Sequence, residues 1–185
     1  MIISLIGVSG SGKGTQSKML KSRFLSISGG KILRDMYSQS YSDGIDLYNK
    51  YWGKGLWVPD NIISKLILSK VNLAVECILF DAFPRTLYQA ITLDNFLKDN
   101  GRKLSYVFEL SVKKEIILDR IKNRGKTELR LDDKSSNAIE KRLDSYYKNV
   151  SMIRDYYKER LIIIDANNSK DTVFKSILSI IDGET

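Results

Sequence analysis

The stretch Gly7-Val8-Ser9-Gly10-Ser11-Gly12-Lys13-Gly14-Thr15-Gln16 constrains the fold of this chain more than any other. An apolar run, Ile2-Ile3-Ser4-Leu5-Ile6, precedes it, and helix-compatible sequence, Ser17-Lys18-Met19-Leu20-Lys21, follows. Strand, glycine-rich turn and helix is the setting in which the spacing G-x-x-x-x-G-K forms a phosphate-binding loop. Backbone N–H groups at the start of the helix then face an anion, and Lys13 adds a mobile positive charge. Gly10, Ser11, Gly12, Lys13, Gly14 and Thr15 are therefore the candidate ligands of a bound triphosphate. The residue after Lys13 is Gly14, and the hydroxyl comes one later, at Thr15. The usual hydroxyl ligand of Mg²⁺ is thus displaced, and the metal must lean on phosphates, water and a carboxylate elsewhere.

Two counts exclude whole classes of chemistry. The single cysteine, Cys77, leaves no intramolecular disulfide and no cysteine-rich zinc site. The absence of histidine removes Ser-His-Asp and Cys-His catalysis. A net charge of +8 favours anionic partners, yet no run of five basic residues occurs, and the charges alternate along helical segments. That pattern describes a solvated surface and does not choose between a nucleotide and a nucleic acid. At 185 residues one domain is expected. No apolar run approaches the roughly 18 residues of a membrane span, and Met1-Ile2-Ile3 has no basic leader, so a cytoplasmic chain without a signal peptide is expected.

Four further apolar runs read as strands: Phe24–Ile27, Cys77–Phe80, Tyr106–Leu110 and Leu161–Ile164. Helical patterns alternate with them, such as Leu87, Ala90 and Ile91 with Phe96 and Leu97, stopping at Asn100-Gly101. Strands apolar on both faces and alternating with helices predict an α/β fold: a five-stranded parallel sheet covered on both sides, a three-layer sandwich. Ligands of such sheets sit at the carboxyl ends of the strands, where Gly7, Ser28 and Asp81 converge. Residues 28–57 break the rhythm, being polar and tyrosine-rich, with short helical pieces at Ile32–Tyr37 and Ile45–Trp52. They read as an insertion over the cleft. Residues 124–137 are strongly charged and have little to bury, as mobile lids do. Beyond them Ile139, Leu143, Tyr146, Val150, Ile153 and Tyr157 form the buried stripe of one long helix, and Val173, Phe174, Ile177, Leu178 and Ile181 that of a closing helix.

Asp81 ends a buried strand, where a carboxylate needs a cation or donors. Beside a phosphate-binding loop that partner is hydrated Mg²⁺. Arg85 follows just past the strand end. Arg120 and Arg124 share one face of a helix expected over Val112–Asn123, and Arg130 and Arg142 bracket the lid. Several arginines around one cleft suit phosphoryl transfer, in which the charge of several phosphates is neutralised at once.

These motifs together resemble those of adenylate kinases and related nucleoside monophosphate kinases. Gly7 to Gln16 resembles their first motif, including Gly14-Thr15-Gln16, and Asp81-Ala82-Phe83-Pro84-Arg85-Thr86 their D-G-F-P-R-T, with alanine for glycine. Leu33-Arg34, Gly55-Leu56-Trp57-Val58-Pro59-Asp60 and Arg130-Leu131-Asp132-Asp133 are similar to further segments, in the family's order. The resemblance implies a helical monophosphate-binding insertion and a short lid over the donor triphosphate. Arg120 would stack on the donor base, and Arg124, Arg130 and Arg142 would gather round the transferring phosphoryl group. Arg34 and Arg85 would grip the acceptor phosphate, with Gly29 and Val58 beside the acceptor nucleoside. Gln89 matches the position that reads adenine.

The expected activity is transfer of the γ-phosphoryl group of ATP to AMP, giving two ADP, with Mg²⁺. The acceptor phosphate is already ionised, so no protein base is required. ATP and AMP are the expected partners of a monomer, with no nucleic acid and no membrane. Two departures stand out. Where the family reads S-T-G-D, this chain has Ser28-Gly29-Gly30-Lys31, and Arg130 to Arg142 spans one residue more than usual. A uridylate or cytidylate kinase is the alternative within the class, and a nucleotide-binding module with impaired catalysis the alternative outside it.

Overall fold

In the computed structural model, residues 1–127 and 136–183 are described. Five strands, β1 (Ile2–Ile6), β2 (Leu25–Ser28), β3 (Ile78–Asp81), β4 (Tyr106–Ser111) and β5 (Leu161–Asp165), form one parallel sheet in the order β2-β3-β1-β4-β5. Every residue of β1 is buried, because the central strand is covered on both faces. Its side chains alternate accordingly. Ile3 and Leu5 join Leu79, Phe108 and Leu110 in one apolar layer, while Ile2 and Ile6 join Ile78, Phe80 and Val107 in the other.

Helices α1 (Lys13–Met19) and α8 (Lys170–Ile181) cover the first layer, to whose core α8 contributes Val173, Ile177 and Ile181 and the segment after α1 contributes Leu20 and Phe24. Helices α5 (Leu87–Asp99) and α7 (Ser136–Tyr156) cover the second, with Ala90, Leu93, Leu97, Ile153 and Tyr157. A three-layer α/β sandwich results. A third cluster joins α6 (Lys114–Thr127) to α7 through Ile117, Ile121, Leu143, Tyr146 and Val150, with Val8 of the glycine-rich loop beneath. Five of the six residues of the α7 stripe are buried and Ile139 is half-buried.

Strand β1 has its expected bounds, and β4 and β5 begin where expected and run one residue further. β2 and β3 each start and end one residue later, so that Ser28 pairs with Asp81 at the carboxyl edge. Residues 29–54 lie outside the sheet as α2 (Gly29–Ser38), α3 (Ser42–Lys50) and a short turn at Trp52–Lys54. Both helices begin three residues before the pieces read from apolar spacing. An aromatic cluster closes this unit, with Tyr48 4.5 Å from Tyr37 and 4.7 Å from Trp52. Helix α4 (Asp60–Leu68) then returns the chain to β3. Helix α5 stops as its sequence predicts. Gly101 takes φ +66°, and the N–H groups of Gly101 and Arg102 close on the carbonyls of Lys98 and Leu97.

Candidate active site

At the carboxyl edge of the sheet lies a cleft of about 670 Å³. Its floor is the loop between β1 and α1. Lys13 is buried, and its Nζ donates to the carbonyls of Gly7 at 2.7 Å and Val8 at 2.8 Å and to Ser11 Oγ at 3.2 Å. The ammonium is thus held inside the loop rather than extended into solvent. Gly10 has φ +87°, and a Cβ there would stand 3.0 Å from Ile121 and 3.1 Å from the carbonyl of Ile117. The loop runs against α6 too closely for a side chain. Thr15 is exposed on the first turn of α1, facing the cleft.

Asp81 lies at the end of β3 and lines the cleft. Ala82 follows in the left-handed region, φ +60°, with its N–H donating to the Leu5 carbonyl. The Ala82 carbonyl accepts from Arg85 Nε at 2.9 Å, so this turn aims the guanidinium, which also lies 5.7 Å over the Trp57 ring. Gln89, in the first turn of α5, is buried with both ends of its amide engaged. Its Oε1 accepts from the N–H of Arg85 at 2.8 Å, and its Nε2 donates to Asp60 at 2.6 Å.

Arg34, Gly29 and Val58 line the cleft together with Gln89. Arg34 lies along the first turns of α2, its guanidinium 3.3 Å from where a Cβ of Gly30 would be. Lys31 is exposed and is not among the residues lining the cleft, whereas Gly29 is buried, with Ile67 Cδ1 and Ile63 Cδ1 occupying the space a side chain there would need. Arg120 lines the cleft from α6 and donates to the Asn168 carbonyl. Arg142 lines the cleft from α7 and donates to the Ala138 carbonyl. Arg130 and the side chain of Arg124 lie outside the described residues, as does most of the segment expected as a lid.

The electrostatics of the cleft are one-sided. Lys13, Lys18, Arg34, Arg85, Arg120, Arg142 and Lys170 line it, and Asp81 is its only carboxylate among the described residues. Among them no cluster of three or more metal-ligating side chains exists. One carboxylate beside many phosphate-binding cations fits Mg²⁺ arriving with a nucleotide, because that ion keeps its waters and takes substrate phosphates as ligands. Sequence reasoning assigned no role to Asp60, Trp52, Tyr146 or Asn168. Tyr146 fell on the buried stripe, and its phenol is pushed far up by burial and by Glu109, which accepts from it at 2.9 Å. Asp60 was visible only as the end of V-P-D.

A parallel sheet whose phosphate-binding loop faces a cleft lined with arginines defines a phosphotransferase of the nucleoside monophosphate kinase class. The adenylate kinase family model matches residues 5–162. An adenylate kinase of Wolbachia pipientis wMel is 34% identical over 97% of each chain, and one of Azobacteroides pseudotrichonymphae 32% identical over 97% of this chain and 96% of its own. The adenylate kinase of Pyrococcus abyssi is 32% identical over 98% and 96%. The chain belongs to the adenylate kinase family. No helix among the described residues is long and apolar enough to cross a membrane.

Proposed function

We propose that this chain transfers the γ-phosphoryl group of ATP to AMP, giving two ADP, within the cleft between the loop at Gly10–Thr15 and the wall at Gln89. The observation that carries the reading is the excess of cationic side chains over one carboxylate among the described residues of a cleft lined by both a phosphate-binding loop and a buried amide. The donor phosphates lie on the N–H groups of Gly10 to Thr15. Lys13 exchanges its loop carbonyls for phosphate oxygens. Arg120 covers the donor base, and Arg34 and Arg85 hold the acceptor phosphate beside Gly29 and Val58. Arg124, Arg130 and Arg142 surround the phosphoryl group in flight, with residues 124–137 closing as the lid and residues 28–57 acting as the monophosphate-binding insertion. Asp81 would be the residue that holds Mg²⁺ arriving with ATP, and the ion would supply further neutralisation of phosphate charge. The acceptor phosphate needs no base, so the protein contributes alignment, charge neutralisation and exclusion of water. The same reading takes the chain as a cytoplasmic monomer acting on small-molecule nucleotides, with neither nucleic acid nor membrane as a partner.

The test is a panel of AMP, UMP, CMP and GMP with ATP and Mg²⁺, followed for diphosphate products. AMP is expected to be used best. No turnover with any of them overturns the reading in favour of a nucleotide-binding module. Lys13→Met is expected to lower kcat by roughly 100-fold or more, the scale of one preorganised electrostatic contact. Full turnover by folded Lys13→Met would sink the mechanism.

A further inference from the structure

We infer that Asp60 determines which way Gln89 presents its amide, and thereby which purine the acceptor site takes. The inference rests on the reading of this wall as the acceptor-base site. A glutamine amide is nearly symmetric in shape, with an acceptor on one side and a donor on the other, and only its partners decide which side is which. Gln89 has partners of opposite and invariable kinds. The N–H of Arg85 can only donate, and it faces Oε1 at 2.8 Å. The carboxylate of Asp60, when ionised, can only accept, and it faces Nε2 at 2.6 Å. Turning the amide over would set oxygen against carboxylate and N–H against N–H, replacing two hydrogen bonds by two repulsions at a residue only 2% exposed.

Asp60 is itself fixed. Its second oxygen accepts from Thr86 Oγ1 at 2.7 Å, and that hydroxyl oxygen accepts from the Gln89 N–H at 3.2 Å. Asp60 opens α4 and Thr86 caps α5, so the network joins the starts of two helices that pack together. Neither residue can swing without breaking the other's bond. The amide keeps one free N–H and one free lone pair, each on a set side.

Those two remaining positions carry a recognition rule. Adenine presents an acceptor at N1 and a donor at its 6-amino group, the complement of an amide's donor and acceptor. Guanine and hypoxanthine present the reverse order at the same two positions, a donor at N1 and an acceptor at O6. A free amide could serve either by turning over. One locked by Asp60 and Arg85 serves only one order. Asp60 touches neither the reacting atoms nor the base on this account; it is a positioning residue that sets specificity through Gln89.

Asp60→Asn keeps the shape and removes the acceptor-only character, because an asparagine can face Gln89 with either of its ends. Steady-state kinetics with AMP, GMP and IMP, together with the KM for ATP and thermal unfolding, are the measurements. The KM for AMP is expected to rise and the AMP-over-GMP ratio of kcat/KM to fall by roughly ten- to 100-fold, the scale of a hydrogen bond to a charged group. The KM for ATP should stay unchanged, which a general loosening of the fold would not allow. Should Asp60→Asn fail to fold, Thr86→Val frees the same carboxylate and is expected to move the ratio the same way by less. Folded variants with the wild-type AMP KM and ratio overturn the role of Asp60. Wild-type protein inactive on every monophosphate overturns the reading of the site instead.

Discussion

At the scale of single residues, the turn after β3 holds an alanine in a conformation that glycine adopts freely. Ala82 sits at φ +60°, and the turn it makes supplies the carbonyl that orients Arg85. A left-handed alanine costs about 1–2 kcal/mol, of which the greater unfolded freedom of glycine would return about half. Ala82→Gly is therefore expected to add about 0.5–1 kcal/mol and to raise Tm by ~2 °C with activity kept. Calorimetry decides it, and a lower Tm would show that the Ala82 methyl packs usefully. Single residues also mark what could be read without coordinates. Lys13 and Asp81 were legible because each type is rare in its setting, a cation after glycines and an acid ending an apolar strand. Asp60 was not, since a first-turn acid on a helix is ordinary and its meaning lies in Gln89, 29 positions away.

At the scale of elements, the long helix α7 is tied to the sheet by an ion pair with one buried partner, beside its apolar contacts. Glu109, in the middle of β4 and 2% exposed, accepts from Arg154 Nε at 2.8 Å and Nη2 at 2.7 Å, and from the hydroxyl of Tyr146. The register sets Glu109 beside Ile6, one residue before the phosphate-binding loop. Arg142, one turn from Tyr146, inherits its position from this anchor. Arg154→Met leaves the carboxylate buried with the phenol alone and is expected to cost about 2–3 kcal/mol, less than a fully buried pair because Arg154 keeps half its surface in water. Adding Glu109→Gln removes the orphaned charge and should recover part of that loss. Urea unfolding of both variants measures it, and an unchanged midpoint for Arg154→Met would show that the pair holds nothing together. Apolar spacing located the sheet and α7, since burial on one or both faces writes itself as periodicity. The bounds of β2 and β3, and the starts of α2 and α3, escaped it. Those ends are made of Ser, Gly and Asp, and are decided by hydrogen bonds to neighbouring strands or helices rather than by burial.

At the scale of the whole molecule, the titration of the fold follows from what the chain lacks. Without histidine, no side chain has its ordinary value near pH 6–7, so stability is expected to be level from about pH 5 to pH 8. The two margins have different origins. On the acid side, Asp182 is held below the usual carboxylate range by its hydrogen bonds from Arg23, and Asp165 by those from the backbone and side chain of Asn167. A depressed carboxyl contributes stability that is present above its unfolded value of about 4 and is lost as pH falls through its folded value. Both groups are on the surface, so the acid loss is expected to be shallow and to begin below about pH 4. On the alkaline side, burial and nearby carboxylates raise the phenols of Tyr146 and Tyr157 well above their ordinary value. A raised group keeps its proton more tightly in the fold, so stability is intact below the unfolded value of about 10 and declines as pH rises beyond it. Phenolate absorbance followed against pH tests this directly. Of the ten tyrosines, Tyr146 and Tyr157 are expected to ionise only as the far-ultraviolet signal of the fold is lost. Their titration with an intact fold would mean that the junction of α7 with β4 and α5 opens to water, and the anchor at Glu109 would then be too loose to hold Arg142 in the cleft.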